Sequence, residues 1–199
     1  ASVLLVTREG DLLVGTGRGV VRRNASGQWS AHSLAPAGHR RESTYSLHQD
    51  PATGQLWASL DWRLLRLSPA SLEWQCAFDN NLVQDGRHVV ATTSLPDAAC
   101  IAIREVWPAQ TSRLEVLRDG RWEALVDREI SNAANTPYLL VDAQQRLWFP
   151  LDGATMGCWQ SGGLLEYALP AFLAGDRLSC LRQDTEGNLW AGTARNGLL

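Results

Sequence analysis

The sequence contains no Lys at all. All eighteen of its basic residues are Arg, and twenty-one acidic residues outnumber them, for a net charge of −3. A basic nucleic-acid footprint is therefore not expected. Long apolar runs are also missing: the longest, Ala98 to Ile103, has six residues, against the ~20 that a helix needs to cross a bilayer. The only membrane connection expected is through parts of a longer chain. Four cysteines occur, without a Cys-x-x-Cys pair or a His at zinc-finger spacing, which excludes the usual thiolate metal frameworks. Cys76, Cys100, Cys158 and Cys180 each lie among apolar neighbours and read as buried free thiols acting as small hydrophobes, with disulfides as the alternative. The sequence opens at Ala1 without a basic and then apolar leader, so any targeting segment is expected to be removed or to lie outside it. Sustained helical periodicity is absent throughout. What remains is a globular composition, 45% apolar and 20% charged over 199 residues, with room for one domain or two small ones.

The informative signal is a repeat. An apolar segment, an acidic or Gly-containing turn and a Leu-Trp or Leu-Leu pair recur, with the second residue of the pair at Leu13, Trp57, Trp148 and Trp190. Their separations are 44, 91 and 42 residues. The long interval holds two periods, and the disguised copy falls at Cys100 to Ile103, with Ile101 as anchor and a Pro96-Asp97 turn before it. A second landmark checks this. The aromatics Trp29, Trp74, Trp122 and Tyr167 are separated by 45, 48 and 45 residues, and Trp122 falls in the disguised copy.

Within each period the segments rich in apolar residues are four to seven residues long and bounded by Gly, Asp, Asn and Pro, which is the pattern of short strands. Repeat one divides into Val3–Val6, Leu12–Gly15, Val20–Arg23 and Gln28–His32. Four antiparallel strands per ~45 residues is a propeller blade. The expected fold is all-β: a β-propeller of four-stranded antiparallel blades, with repeats at about 1–36, 43–82, 88–130, 136–172 and 177–199 forming one region. The fifth repeat lacks its outermost strand, so the chain reads as part of a larger propeller with open edges near Val3 and Leu199. A blade cannot bury both faces alone; Trp57, Trp148 and Trp190 are expected to fill the blade-to-blade contacts alike. The small pairs Gly15-Thr16, Ala58-Ser59 and Gly192-Thr193 suit close approach, and Pro150 should give an irregular strand end.

The segment 183–199, Gln-Asp-Thr-Glu-Gly-Asn-Leu-Trp-Ala-Gly-Thr-Ala-Arg-Asn-Gly-Leu-Leu, resembles the two-component regulator propeller repeat, roughly Asp-x-x-Gly-x-Leu-Trp-x-Gly-Thr-x-x-Gly-Leu. Fainter copies lie at 7–20, 47–60 and 140–151. The resemblance implies the extracytoplasmic, here periplasmic, sensing region of membrane-anchored hybrid histidine kinases and related regulators. Streptogramin lyases look similar, but their Trp-Phe-Thr-Glu strand end is approached only by Leu147-Trp148-Phe149-Pro150, without the acid. The Trp-Asp dipeptide of WD-repeat propellers does not occur.

Chemistry-bearing residues are sparse. His32, His39, His48 and His88 occupy different repeat positions; His48 is expected in an inner strand, and His39 and His88 in solvated turns. Asp50, Asp142 and Asp184 share one repeat position and are expected to cap turns by accepting backbone N–H groups. Neither a calcium loop nor a nucleophile elbow is present, and no metal, cofactor or catalytic residue is expected. Propellers bind ligands at the channel mouth, where loops join second and third strands; by analogy the candidate ligand contacts are Arg18, Asp61, Trp62, Arg63, Arg104, Trp107, Asp152, Arg195 and Asn196. These loops vary while the strands repeat. Aromatics beside Arg and Asp suit a small polar molecule or sugar; a partner protein domain is the alternative partner, and a homodimer would form through the open edges near Val3 and Leu199. The expected function is a non-enzymatic sensor module; the alternatives are a streptogramin-lyase-like enzyme and an interaction scaffold.

Overall fold

A computed structural model describes residues 3–32, 43–60, 63–67, 73–79, 87–106, 111–131, 138–173, 176 and 178–198. Among them the only helical element is a single 3-10 turn, Ala171–Leu173; everything else regular is antiparallel strand. The first sheet runs β1 (Val3–Val6), β2 (Leu12–Thr16), β3 (Gly19–Arg23) and β4 (Trp29–His32) in sequential order. The second repeats this with β5 (Thr44–Gln49), β6 (Leu56–Leu60), β7 (Arg63–Leu67) and β8 (Trp74–Asp79). In the third, β9 (Arg87–Leu95), β10 (Ala98–Val106), β11 (Thr111–Arg118) and β12 (Arg121–Ala124) are joined by β13 (Ile130–Ser131), which also pairs with β11. The fourth contains β14 (Leu140–Val141), β15 (Leu147–Pro150), β16 (Thr155–Gln160) and β17 (Gly163–Ala168), and the fifth is the pair β18 (Leu178–Gln183) and β19 (Leu189–Thr193). Four sequential meanders and a two-stranded fifth, with the sheets not closed on themselves, are the blades of a partial β-propeller.

The chain divides into two compact units, 1–92 and 93–199. In the first, Leu13, Val20, Leu47, Ala58, Leu60 and Leu65 form a buried cluster flanked by Val3, Leu5, Leu56 and Trp74. It is filled from two consecutive blades, which is how a sheet without a core of its own becomes stable. The second unit repeats the arrangement with Trp148, Met156, Cys158, Leu178 and Leu181. Gly15 shows how close the approach is. A Cβ there would lie 2.5 Å from a Val3 methyl and 2.9 Å from the Thr44 methyl of the next blade. At the equivalent Gly192 the obstacle is Cys180 Sγ, at 2.6 Å. β15 ends on Pro150, one residue shorter than β2, β6 and β19, as expected of a residue that cannot donate to the ladder.

Four expectations need correction. The anchor Trp residues are not alike: Trp57 and Trp148 are 6% and 8% exposed, but Trp190, on the two-stranded fifth sheet, is 40% exposed. His88 is half-buried in β9 rather than placed in a turn. Cys76 is exposed, because it lies on the outer strand β8. Arg104 lies within β10 rather than in a loop. None of the four cysteines forms a disulfide; Cys100 and Cys158 are buried and Cys180 is half-buried. Burial pushes the Cys100 thiol up.

His48, expected on an inner strand, is in β5 opposite Trp57. Burial lowers its pKa to about 4, against the opposing pull of Asp50. The unfolded chain therefore takes up a proton near pH 6.5 that the folded chain refuses until about 4. Stability is full above pH 6.5 and declines as the pH falls to 4, by up to about 3 kcal/mol. Urea midpoints measured across that range should slope for the native chain and flatten for His48→Gln; equal slopes would sink the assignment.

Candidate functional site

The turns between first and second strands show what holds each blade rigid. Asp142 Oδ1 accepts the backbone N–H groups of Gln144 and Arg146, both at 2.9 Å. Its Oδ2 accepts Arg146 Nε at 2.6 Å and the Trp148 indole N–H at 2.8 Å. Asp184 repeats the pattern: Glu186 and Asn188 N–H on Oδ1 at 3.0 and 2.8 Å, and the Trp190 indole on Oδ2 at 2.7 Å. Burial pushes the Asp142 carboxyl up, but the bonds from Trp148 and Arg146 more than offset it and hold it below its ordinary value. The Trp190 bond, then that from Asn188, lowers Asp184 to about 2.

The other blades vary this device. Asp50 accepts Ala52 and Thr53 N–H at 2.8 and 3.1 Å, but its turn is one residue longer before Trp57. The Trp57 indole N–H has no partner among the described residues. In blade one, Thr7 takes the position, its Oγ1 accepting Asp11 N–H at 3.2 Å. Asp11 in turn pairs with Arg22 at 2.5 Å. The acidic turn residues thus serve the turn, as their shared repeat position implied.

A second device links consecutive blades. Gln49 Oε1 accepts the Arg8 N–H at 2.8 Å and Gln49 Nε2 donates to the Gly54 carbonyl at 3.3 Å. Gln183 does the same to Ala143 N–H at 2.7 Å and the Gly187 carbonyl at 3.1 Å. Arg8 and Ala143 occupy one repeat position, immediately after the turn cap. Sequence reasoning missed this latch, although the Gln-Asp dipeptides at 49–50 and 183–184 signal it.

The candidates Arg18, Arg63, Asp152, Arg195 and Asn196 belong to the opposite ends of these strands. Asp61, Trp62 and Trp107 lie outside the described residues. Arg18 is exposed in the β2–β3 turn, where its N–H donates to Thr16 Oγ1 at 3.1 Å. Arg195 is exposed beyond β19, and its N–H donates to Asp176 Oδ2 at 3.2 Å. Asn196 donates to the same carboxylate through N and Nδ2 at 3.1 and 2.9 Å. Asp152 is half-buried and caps its own turn by accepting Ala154 N–H at 2.8 Å. Arg63 opens β7 and is buried opposite Asp79.

Arg104 is 2% exposed. Its Nη1 meets Glu115 Oε2 at 2.8 Å and its guanidinium lies 4.9 Å from the Trp122 ring centroid. A buried ion pair stacked on an indole is part of the blade-three packing, which takes Arg104 out of the loop set. Arg18 and Arg63 belong to the first unit and Arg104, Asp152, Arg195 and Asn196 to the second.

The blades place the chain among β-propellers, and comparison of solved structures agrees. The chain is similar to the extracellular domain of a hybrid two component system from B. thetaiotaomicron, with a TM-score of 0.70 and 13% identity over 98% of this chain and 26% of that one. It is also similar to virginiamycin B lyase from Staphylococcus aureus: in one structure the TM-score is 0.65 at 14% identity, over 94% of this chain and 61% of the lyase. The β-propeller domain of Cps50 (Swd1) from Myceliophteria thermophila gives 0.65 at 13%, over 98% and 62%. The chain therefore spans less than two thirds of these propellers. No curated protein matches it. Residues 173–195 match the family model described as Two component regulator propeller. They cover β18, β19 and the Asp184–Trp190 turn, and so include most of the copy that carries the sequence resemblance.

Proposed function

We propose that this chain is a sensing propeller of a two-component regulator. It works outside the cytoplasm without catalysis and takes a small polar molecule or sugar on the loops that join second and third strands. One contrast carries the reading. At one end of the strands Asp, Trp and Gln recur in fixed contacts, whereas the equivalent loops at the other end carry Arg18, Asp152, or Arg195 with Asn196. A rigid scaffold with unlike side chains at a repeated position is the arrangement of a recognition surface. The regulator repeat at 173–195 and the likeness to the extracellular domain support the regulatory and extracytoplasmic parts.

The test is thermal unfolding and calorimetry against a panel of sugars and polar metabolites. A ligand at a hundredfold excess over Kd stabilises by about 2.7 kcal/mol. Because Arg195 has an exposed side chain, Arg195→Ala should leave the unliganded transition unchanged and remove the shift caused by a ligand of the second unit, and Arg18→Ala tests the loop of the first unit in the same way. Consumption of any panel compound would instead favour an enzyme, and a panel with no binder would favour a scaffold.

A further inference from the structure

Three turns of the second unit line an open cavity of about 280 Å³ at the strand ends opposite the candidate loops. Leu95, Pro96 and Asp97 come from the β9–β10 turn, Gln145 from the β14–β15 turn, and Trp159, Gln160, Ser161 and Gly162 from the β16–β17 hairpin. The repeat shows that this lining is not the default of the blade. Gln145 occupies the turn position that is Gly10, Gly54 and Gly187 in blades one, two and five. Those glycines have φ of 85°, 74° and 92°; Gln145 has φ of 62°. That left-handed conformation suits glycine and strains a residue with a Cβ. Blade four thus bears a backbone cost that its sister blades avoid, and what it gains is a side-chain amide at the cavity wall.

The lining has a definite chemical bias. Asp97 is its only charged residue, although the chain carries eighteen Arg. Gln145, Gln160 and Ser161 add oxygens that can accept hydrogen bonds, and Trp159 adds an indole, the aromatic surface that attracts cations most strongly. The neighbouring cation does not compete. Arg146 is held on Asp142 and lies 5.2 Å from the Trp148 ring centroid. We propose that this cavity is a binding site for a small organic cation, an ammonium or guanidinium group on a short apolar stem, with Asp97 as counter-charge and the Gln145 amide as the residue that sets the fit. The stem rests against Leu95 and Pro96. This site is separate from the loops of the proposed function, and neither depends on the other.

The test is calorimetric titration of the full chain with agmatine, which carries both groups, and with glucose as a neutral probe. Agmatine should bind with an affinity that falls as salt is added, whereas any glucose binding should be indifferent to Asp97→Asn and Gln145→Gly. Asp97→Asn, at an exposed turn, should weaken agmatine by about tenfold, the scale of a single charge-assisted contact. Gln145→Gly should also weaken it while leaving the melting temperature unchanged or higher, because the strained position then holds glycine. Failure of agmatine to bind the native chain at millimolar concentration would overturn the proposal, as would agmatine affinity indifferent to Asp97→Asn.

Discussion

Asp142→Ala should cost about 3–5 kcal/mol of unfolding free energy, the range of a broken buried network. Its carboxylate is 3% exposed and serves four donors. Removing it leaves the Trp148 indole N–H and the Gln144 and Arg146 amides short of an acceptor, at about 1–3 kcal/mol for each one that water cannot reach. Asp184→Ala removes the same bonds from an exposed turn, where water replaces them, and should cost far less. Urea denaturation of both variants checks this. Similar losses at the two positions would mean that burial does not govern the strength of the device. Trp148→Phe, which removes the N–H and one ring but keeps part of the apolar contact, should fall between them.

A comparable loss is expected where a charge is stranded. Glu115→Ala leaves the Arg104 guanidinium inside blade three without its carboxylate, and breaking a buried pair by one partner costs about 3–5 kcal/mol. Desolvating two ions offsets most of their attraction, so replacing both together is far milder. Arg104→Met with Glu115→Leu should therefore recover most of the stability lost by Glu115→Ala alone. If the double variant is less stable than the single one, the pair contributes more than it costs to bury. Arg104→Ala is also a poor probe of ligand contact, since loss of binding would follow from loss of fold.

The blade count and strand edges were legible because short-range chemistry fixes them. The Leu-Trp anchors and the Gly and Asp turns located β1 to β4 to within one residue of the observed ends. Turn capping by Asp50, Asp142 and Asp184 was legible for the same reason, since a carboxylate reaches amides two residues on. The indole bond was not. It spans six positions and forms only when the hairpin carries Trp148 or Trp190 back over the turn, and one extra residue before Trp57 abolishes it. Arg104 misled because an Arg near a Trp reads as a surface pair. Its partner Glu115 lies on the adjacent strand β11 and is identified only once the register sets Arg104 opposite Arg113. The unequal exposure of Trp190 was equally hidden, because burial depends on what a neighbouring sheet covers rather than on the residue's own repeat.

The Gln49 and Gln183 latches bear on how such a chain can grow by copying. Each latch lends a side chain to the turn of the preceding copy, so a copy with Gln in this place completes its neighbour's hairpin as well as its own. Blade four has Val141 there instead and offers nothing backwards. A copy placed beside a neighbour of a different turn length would lose that bond, so the hydrogen-bonded unit is a couplet of consecutive copies rather than a lone blade.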